Sequence, residues 1–244
     1  MIAALPMYDR PETAAANDAF WTAIRARLGH GPSRLTRPDD PWPVWRSPDL
    51  LLAQTCGLPF RATLHTTVTL VGTPDYSLPG CPPGHYRSVL VARKPAAPLT
   101  DLLAGPFAYN EALSQSGWAA PQAFFVEAGL PGPQTLLKTG AHRASARAVA
   151  EGRASLAALD ALSWELMRQH DRFTDVLEVV AATRPTPGLP LITAARRDAK
   201  ALYTAVTAAI TDLSPADRAT LHLRGLVAIP AADYLAVPLP IPPN

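Results

Sequence analysis

Short apolar runs alternate along this chain with segments that carry apolar residues at helical spacing. Ile2–Leu5 is an apolar run, Glu12–Leu28 repeats apolar residues every three or four positions, and Leu50–Ala53 is a second apolar run. A strand, a helix and a second buried strand in this order are typical of βαβ units. The pattern therefore predicts an α/β protein whose sheet is largely parallel.

The same alternation continues to the end of the chain. Apolar runs predict further strands at 68–71, 88–92, 107–109, 136–138, 155–159 and 176–181. Helical spacing predicts helices at 142–150, 162–168 and 193–213, the last with an N-cap at Thr193, and another that starts at Ser214-Pro215 and ends near Gly225.

The segment Tyr109–Pro121 brings polar residues together where a strand gives way to a helix. Asn110 follows the strand, and Ser114-Gln115-Ser116-Gly117 is predicted to form the first turn of the helix. The first amides of a helix have no partner within it and its dipole favours negative charge, so this turn predicts an anion site. The alternative is an ordinary serine N-cap, but two serines that flank a glutamine exceed what a cap requires.

Polar residues also follow three other predicted strands. They are Tyr8-Asp9-Arg10, Gln54-Thr55-Cys56-Gly57 and Thr73-Pro74-Asp75-Tyr76. Ligands of open parallel sheets bind beyond the carboxyl ends of the strands, so these loops are expected to converge on one cleft. The alternative for each loop is a simple connection between two elements.

Composition excludes several classes of protein. The chain has 22 basic and 20 acidic residues, and this near balance of charge gives no electrostatic reason to expect binding to nucleic acid. No apolar run reaches the ~18–20 residues that span a membrane, and the first residues lack the features of an export signal, so a cytosolic protein is expected if Met1 is the native start. Cys56 and Cys81 show no metal or redox spacing and are expected to be buried thiols, or a disulfide in an exported form.

Catalytic motifs are not found. The chain contains no G-x-S-x-G elbow, no H-E-x-x-H, no phosphate-binding P-loop and no cluster of metal ligands. Ser116, His142 and Asp160 are residue types of a catalytic triad, but nothing in the sequence fixes such a geometry. The sequence therefore predicts no catalytic residue, no metal and no cofactor.

Three segments resemble a known family. Tyr86–Lys94, the S-Q-S-G turn with Pro121, and the block Gly140–Asp160 are similar to the phosphate, phosphite and phosphonate substrate-binding proteins of ABC transporters. The resemblance implies a type II periplasmic-binding-protein-like fold, with two α/β lobes and a ligand cleft between them. Lobe 1 would comprise residues 1–86 and 190–244, and lobe 2 residues 87–189.

The resemblance also implies roles for single residues. Ser114, Gln115 and Ser116 would grip the ligand, His142 would lie on the ligand side, and Asp160 would face the cleft from the end of a strand. Further candidates are Tyr8, Tyr76, Tyr86, Asn110 and Gly117. From the residues alone, His142 can equally be an exposed residue at a helix start, Asp160 a helix cap, and each tyrosine a half-buried packing residue.

The predicted function is capture of a small oxyanion for an ABC permease by a monomeric, non-enzymatic protein. The family resemblance places it in the periplasm, whereas the missing leader places it in the cytosol. One alternative is a cytosolic enzyme or ligand sensor on the same fold, acting on a small carboxylate or metabolite. A further alternative is a truncated paralogue that binds nothing.

Overall fold

A computed structural model describes residues 1–243 of the chain. The strands are β1 Ile2–Ala4, β2 Leu50–Gln54, β3 Val68–Asp75, β4 His85–Tyr86, β5 Ser88–Arg93, β6 Pro106–Tyr109, β7 Thr135–Lys138, β8 Leu156–Asp160, β9 Leu177–Ala182, β10 Thr186–Pro187, β11 Leu191–Ala194 and β12 Gly225–Val227. The helices are α1 Ala14–Leu28, α2 Trp42–Trp45, α3 Gly57–Pro59, α4 Leu99–Ala104, α5 Ala120–Glu127, α6 His142–Ala150, α7 Ala161–His170, α8 Ala199–Asp212, α9 Pro215–Thr220 and α10 Ala231–Leu235.

The chain divides into two compact units, neither of which is continuous in sequence. Unit 1 contains Met1–His85 and Pro187–Val237, and unit 2 contains Tyr86–Thr186 together with residues 238–243. The chain passes from one unit to the other within β4 and again within β10. These two short strands pair as a two-stranded sheet. The last residues group with unit 2, whereas the sequence placed residues 190–244 in lobe 1.

Unit 1 is built on a five-stranded mixed sheet with the order β1-β2-β11-β3-β12. Strands β1 and β2 are parallel, as expected for a βαβ unit. Strand β11 runs antiparallel to both β2 and β3, and β12 runs antiparallel to β3. The prediction of a largely parallel sheet is wrong, because the chain re-enters this sheet from unit 2 in the opposite direction.

Helices cover both faces of this sheet. One face packs on α1 and α8 through Phe20, Ile24, Val206 and Ile210. The other face packs on a cluster that includes Trp45, Phe60, Leu64 and Tyr234. Successive side chains of a strand point to opposite faces, so a strand covered on both sides is largely apolar, and β2 reads L-L-L-A before its last residue, Gln54.

Unit 2 repeats this architecture with a sheet of order β7-β6-β8-β5-β9. Strand β6 is parallel to β7 and β8, and β5 is antiparallel to β8 and β9. Leu90, Phe107, Trp118, Phe125 and Leu156 form the centre of its core. The parallel strands bring the starts of the helices that follow β6, β7 and β8 to one edge of this sheet.

Several element predictions are wrong at their bounds. Thr193 is not an N-cap: it lies fully buried in β11, where its hydroxyl donates to the carbonyl of Leu51, and α8 begins only after the cap Asp198. The helix after Ser214 ends at Thr220. Cys56 and Cys81 are not joined by a disulfide, and both are half-buried rather than buried. Within the described residues, no helix combines the length and the apolar character that a bilayer crossing requires.

Candidate functional site

The serine turn lies between β6 and α5 in unit 2. Ser114 is the N-cap, and its hydroxyl oxygen accepts a hydrogen bond from the amide of Gly117 at 3.0 Å. A π-helical turn, Gln115–Ala119, follows and runs directly into α5. The ordinary capping role of Ser114 is thus present, and Ser116 lies one position inside the helix, where no cap is needed. Gln115 and Ser116 are only 2% and 3% exposed.

Ser116 joins three elements of unit 2. Its hydroxyl oxygen lies 2.9 Å from Nε2 of His142, the first residue of α6. Its carbonyl oxygen accepts a hydrogen bond of 2.8 Å from the hydroxyl of Ser88 at the start of β5. Ser88 belongs to this corner, although the sequence pattern did not predict a site residue there. Its only signal was a polar residue at the start of an otherwise apolar strand.

His142 is half-buried and its ring is largely cut off from water. Burial lowers the pKa of His142 to about 4, because the charged ring is desolvated, and the backbone of Ala158 offsets part of this shift. The ring is therefore neutral near pH 7. Its Nδ1 is buried and has no hydrogen-bond partner among the described residues. The alternative of an exposed residue at a helix start does not describe this side chain.

Asn110 and Gly117 are in close contact beside the serines. A Cβ atom on Gly117 would lie 1.9 Å from Oδ1 of Asn110, so only glycine fits at this position. That Oδ1 atom is buried and accepts no hydrogen bond from any described residue. The carbonyl of Asn110 accepts from the amide of Gly140, which fixes the loop that leads into α6.

Asp160 ends β8 and is 2% exposed. Its Oδ1 atom accepts a hydrogen bond of 2.8 Å from the amide of Ser163, so Asp160 is the N-cap of α7. Its main chain is paired with Ser88 across the antiparallel β5–β8 ladder. The capping role is therefore present, and Asp160 lies at the same end of the sheet as the serine turn.

Of the tyrosine candidates, Tyr8 and Tyr76 belong to unit 1 and Tyr86 belongs to unit 2. In unit 1, the rings of Tyr8 and Tyr76 meet edge to face with centroids 5.1 Å apart, and Nε2 of Gln54 donates to the hydroxyl of Tyr76 at 2.9 Å. These side chains line a small cleft of unit 1 together with Asn17 and Phe20. Tyr86 lies in β4 and is 2% exposed, as expected for a packing residue.

The two guanidinium groups of α6 contact side chains at Asp171 and Phe173. Arg143 forms a salt bridge of 2.6 Å with the buried Asp171, and the guanidinium groups of Arg143 and Arg147 both stand over the ring of Phe173. Arg10 of unit 1 pairs with Glu12 at 2.7 Å. Among residues 1–243, no group of three or more His, Cys, Asp or Glu side chains is placed to hold a metal ion.

Solved structures share this fold. PhnD1 from Prochlorococcus marinus in complex with methylphosphonate is 15% identical, with a TM-score of 0.73 over 96% of this chain and 94% of that one. A binding component of a phosphonate ABC transporter from Pseudomonas aeruginosa is also 15% identical, with a TM-score of 0.69 over 96% and 82%. An ancestral arginine-binding protein is 14% identical, with a TM-score of 0.58 over 84% and 90%. The fold is thus the two-lobed α/β fold of type II periplasmic binding proteins.

Sequence comparison identifies the family. Residues 66–234 match the family described as ABC transporter, phosphonate, periplasmic substrate-binding protein. The chain belongs to this family, which confirms the resemblance seen in the sequence. Among curated proteins, no relative matches the chain. The family is periplasmic and serves transport.

Proposed function

We propose that the chain captures a small oxyanion of the phosphate, phosphite or phosphonate type at the Ser114–Gly117 turn. The observation that carries this proposal is the contact of Ser116 with His142, which joins the starts of two helices in one buried corner. The first amides of each helix have no partner within it, and both dipoles are positive at this end. Two such ends beside serine hydroxyls favour an anion without a basic side chain.

Recognition by neutral donors suits an anion that must also be released. Hydrogen bonds to a charged group contribute about 1.5–3 kcal/mol each, and they strengthen where water is excluded. The arginines of α6 are engaged by Asp171 and Phe173, so they do not supply charge to the turn. The methylphosphonate complex of the Prochlorococcus marinus protein supports the same ligand class.

A hydrolytic enzyme built on Ser116 and His142 is disfavoured by the geometry. The two side chains are within hydrogen-bond distance, as a nucleophile and its base would be. However, no carboxylate bonds to Nδ1 of His142 among the described residues, and a pKa of about 4 makes the ring a weak base near pH 7. We therefore assign no catalytic role to this pair.

The family membership implies a permease as the partner and the periplasm as the compartment. We propose both for this chain. Fractionation of cells that express the native gene tests the compartment. Recovery of the protein only in the cytosol would contradict transport and favour a sensor of the same ligand.

The ligand class is tested by thermal denaturation of the full chain with phosphate, phosphite, methylphosphonate, sulfate and acetate. A ligand that binds only the folded state stabilises it by about 2.7 kcal/mol at about 100 times its Kd, which raises Tm. We expect at least one phosphorus oxyanion to raise Tm more than acetate does. A shift with acetate and none with any phosphorus oxyanion would contradict the proposal.

A further inference from the structure

The serine turn leaves the carbonyl of Ser116 without a helical donor. The amide of Ala120 donates five positions back, to the carbonyl of Gln115, which is the π-helical register. In this register the donor for the carbonyl of Ser116 would be residue 121, and Pro121 has no N–H. The α-helical donor would be the amide of Ala120, which is already engaged with Gln115. A donor for this carbonyl must therefore come from outside the helix.

Ser88 supplies that donor. From the start of β5, its hydroxyl donates to the carbonyl of Ser116 at 2.8 Å. Ser88 is 1% exposed and Ser116 is 3% exposed, so the bond lies in the interior of unit 2, where an unpaired carbonyl is costly. A serine hydroxyl carries one hydrogen. In Ser88 this hydrogen is directed at the carbonyl, so Ser88 has none left to donate to an anion.

The peptide group between Ser116 and Gly117 is fixed at both of its polar atoms. A peptide group is planar, so the carbonyl of Ser116 and the amide of Gly117 turn together. The carbonyl accepts from Ser88, and the amide donates to the hydroxyl oxygen of Ser114 at 3.0 Å. These two bonds fix the backbone of Ser116 and therefore the direction of its hydroxyl, which lies 2.9 Å from Nε2 of His142.

The main chain of Ser88 is held independently of its hydroxyl. Its amide donates to the hydroxyl oxygen of Thr183 at 3.0 Å, and its carbonyl accepts from the amide of Thr183 at 2.9 Å. On the other side, Ser88 is paired with Asp160 in the β5–β8 ladder. Replacement of Ser88 by alanine therefore removes the hydroxyl and leaves these contacts in place.

We infer that Ser88 is a positioning residue of the oxyanion site, whose hydroxyl sets the orientation of the Ser116–Gly117 peptide and thereby the affinity of the turn. This inference rests on the proposed function. Ser88 acts on the ligand only through Ser116. Donors that are fixed before the ligand arrives bind it more tightly, because none of the binding free energy is spent on orienting them. Without the Ser88 hydroxyl the peptide is free to turn toward another donor, and the ligand has to reorder it.

A double-mutant cycle on the full chain tests this role. Pro121→Ala restores an N–H five positions after Ser116, so it offers the carbonyl a donor that does not depend on Ser88. The Kd of methylphosphonate is measured by calorimetry in the wild type, Ser88→Ala, Pro121→Ala and the double variant. We expect Ser88→Ala to raise the Kd about tenfold where residue 121 is proline, and less than about threefold where it is alanine.

The matched control for Ser88→Ala is Thr193→Val. Thr193 is also buried, and its hydroxyl also donates to a main-chain carbonyl at 2.8 Å, that of Leu51, but it lies in the sheet of unit 1. Urea unfolding is measured beside the Kd in all variants. We expect Thr193→Val to lower the free energy of unfolding and to leave the Kd of methylphosphonate unaltered, which separates positioning of the turn from general stability.

A wild-type Kd in Ser88→Ala would overturn the inference and leave the proposed function standing. An equal loss of affinity in both backgrounds would overturn it as well, because the effect would not depend on a donor to the Ser116 carbonyl. Failure of the wild type to bind methylphosphonate, phosphate or phosphite would overturn the proposed function and this inference with it. If Ser88→Ala does not fold, Ser88→Cys takes its place in the cycle, since a thiol is a weaker donor. A raised Kd confined to the proline background then supports the inference, and an unchanged Kd overturns it.

Discussion

The hydroxyl oxygen of Ser116 lies 2.9 Å from Nε2 of His142, and this distance joins the beginnings of two helices that are remote in sequence. Ser116 belongs to the turn before α5, and His142 is the first residue of α6. Both helices therefore present their unpaired amides at one corner of unit 2.

Removal of the Ser116 hydroxyl should weaken oxyanion binding. Ser116→Ala deletes one donor to a charged group, so we expect the binding free energy of methylphosphonate or phosphate to fall by about 1–3 kcal/mol. Calorimetry measures the change. Ser214→Ala is the matched control, because Ser214 caps α9 in unit 1 and its loss should leave the affinity unaltered. Unchanged affinity in Ser116→Ala would remove this residue from the site.

The low pKa of His142 should make the free protein less stable in acid. Its pKa is lowered from 6.5 to about 4, so between these values the unfolded chain binds a proton that the folded chain does not. The free energy of unfolding should therefore decrease as pH falls from about 6.5 to about 4, by at most about 3 kcal/mol. Urea denaturation at several pH values measures this slope. His142→Gln should flatten it, and an equally steep slope in that variant would assign the effect to other groups.

Substitution of Gly117 by alanine should disturb the turn. The new Cβ would lie 1.9 Å from Oδ1 of Asn110, so Asn110 must move away from its place beside the serines. Overpacking of this kind costs about 1–3 kcal/mol, and we expect lower stability together with weaker oxyanion binding. Gly132→Ala is the control, because no atom lies within 4 Å of its Cβ position. A Gly117→Ala protein with wild-type stability and affinity would show that the turn tolerates the shift.

The two roles considered for Asp160 can be separated by substitution. Asp160→Ala should lower the free energy of unfolding by about 1 kcal/mol, because the amide of Ser163 loses its capping acceptor. Asp160→Ser keeps a capping oxygen without the charge and should restore most of that stability. The affinity for methylphosphonate is then measured in the serine variant. A change there assigns the carboxylate to ligand binding, and wild-type affinity assigns it to capping alone.

The end of the chain should contribute to the stability of unit 2. The indole N–H of Trp118 and the side-chain amide of Gln122 both donate to the carbonyl of Ile241, at 2.8 and 3.1 Å. Truncation after residue 237 removes this acceptor, and we expect a loss of about 1–2 kcal/mol in urea unfolding. Truncation after residue 242 keeps the carbonyl and serves as the control. Equal stability of the two truncated chains would contradict a role for this contact.

The serine turn and α6 were predictable because their signals are local. A serine cap before an apolar helical pattern fixes the turn, and α6 has the predicted bounds His142–Ala150. Residue order alone cannot show that Ser116 contacts His142, since the two are 26 positions apart and meet only through the parallel order of β7, β6 and β8. The family resemblance gave both residues a role at the ligand, but neither it nor the pattern predicted their contact.

The sequence predictions that were wrong or incomplete failed because they depend on long-range contacts. Strand β11 is short and stands before a strong helical pattern, so Thr193 resembles a helix cap. Its conformation is set by long-range pairing with β2 and β3, which local propensity does not contain. Ser88 was missed for the same reason, because only the antiparallel pairing of β5 with β8 brings it to the corner. The directions of the strands in the unit 1 sheet likewise depend on where the chain returns from unit 2.

The discontinuity of the two units affects how the chain folds during synthesis. A ribosome releases residues 1–85 long before the strands β11 and β12 that complete their sheet. Until β11 is made, the nascent unit 1 lacks the strand that lies between β2 and β3 and must persist with an incomplete sheet. All five strands of the unit 2 sheet are made before β11, so unit 2 can complete its sheet first. Early folding should begin in the middle of the polypeptide, and the half of the molecule that is made first should be the last to finish.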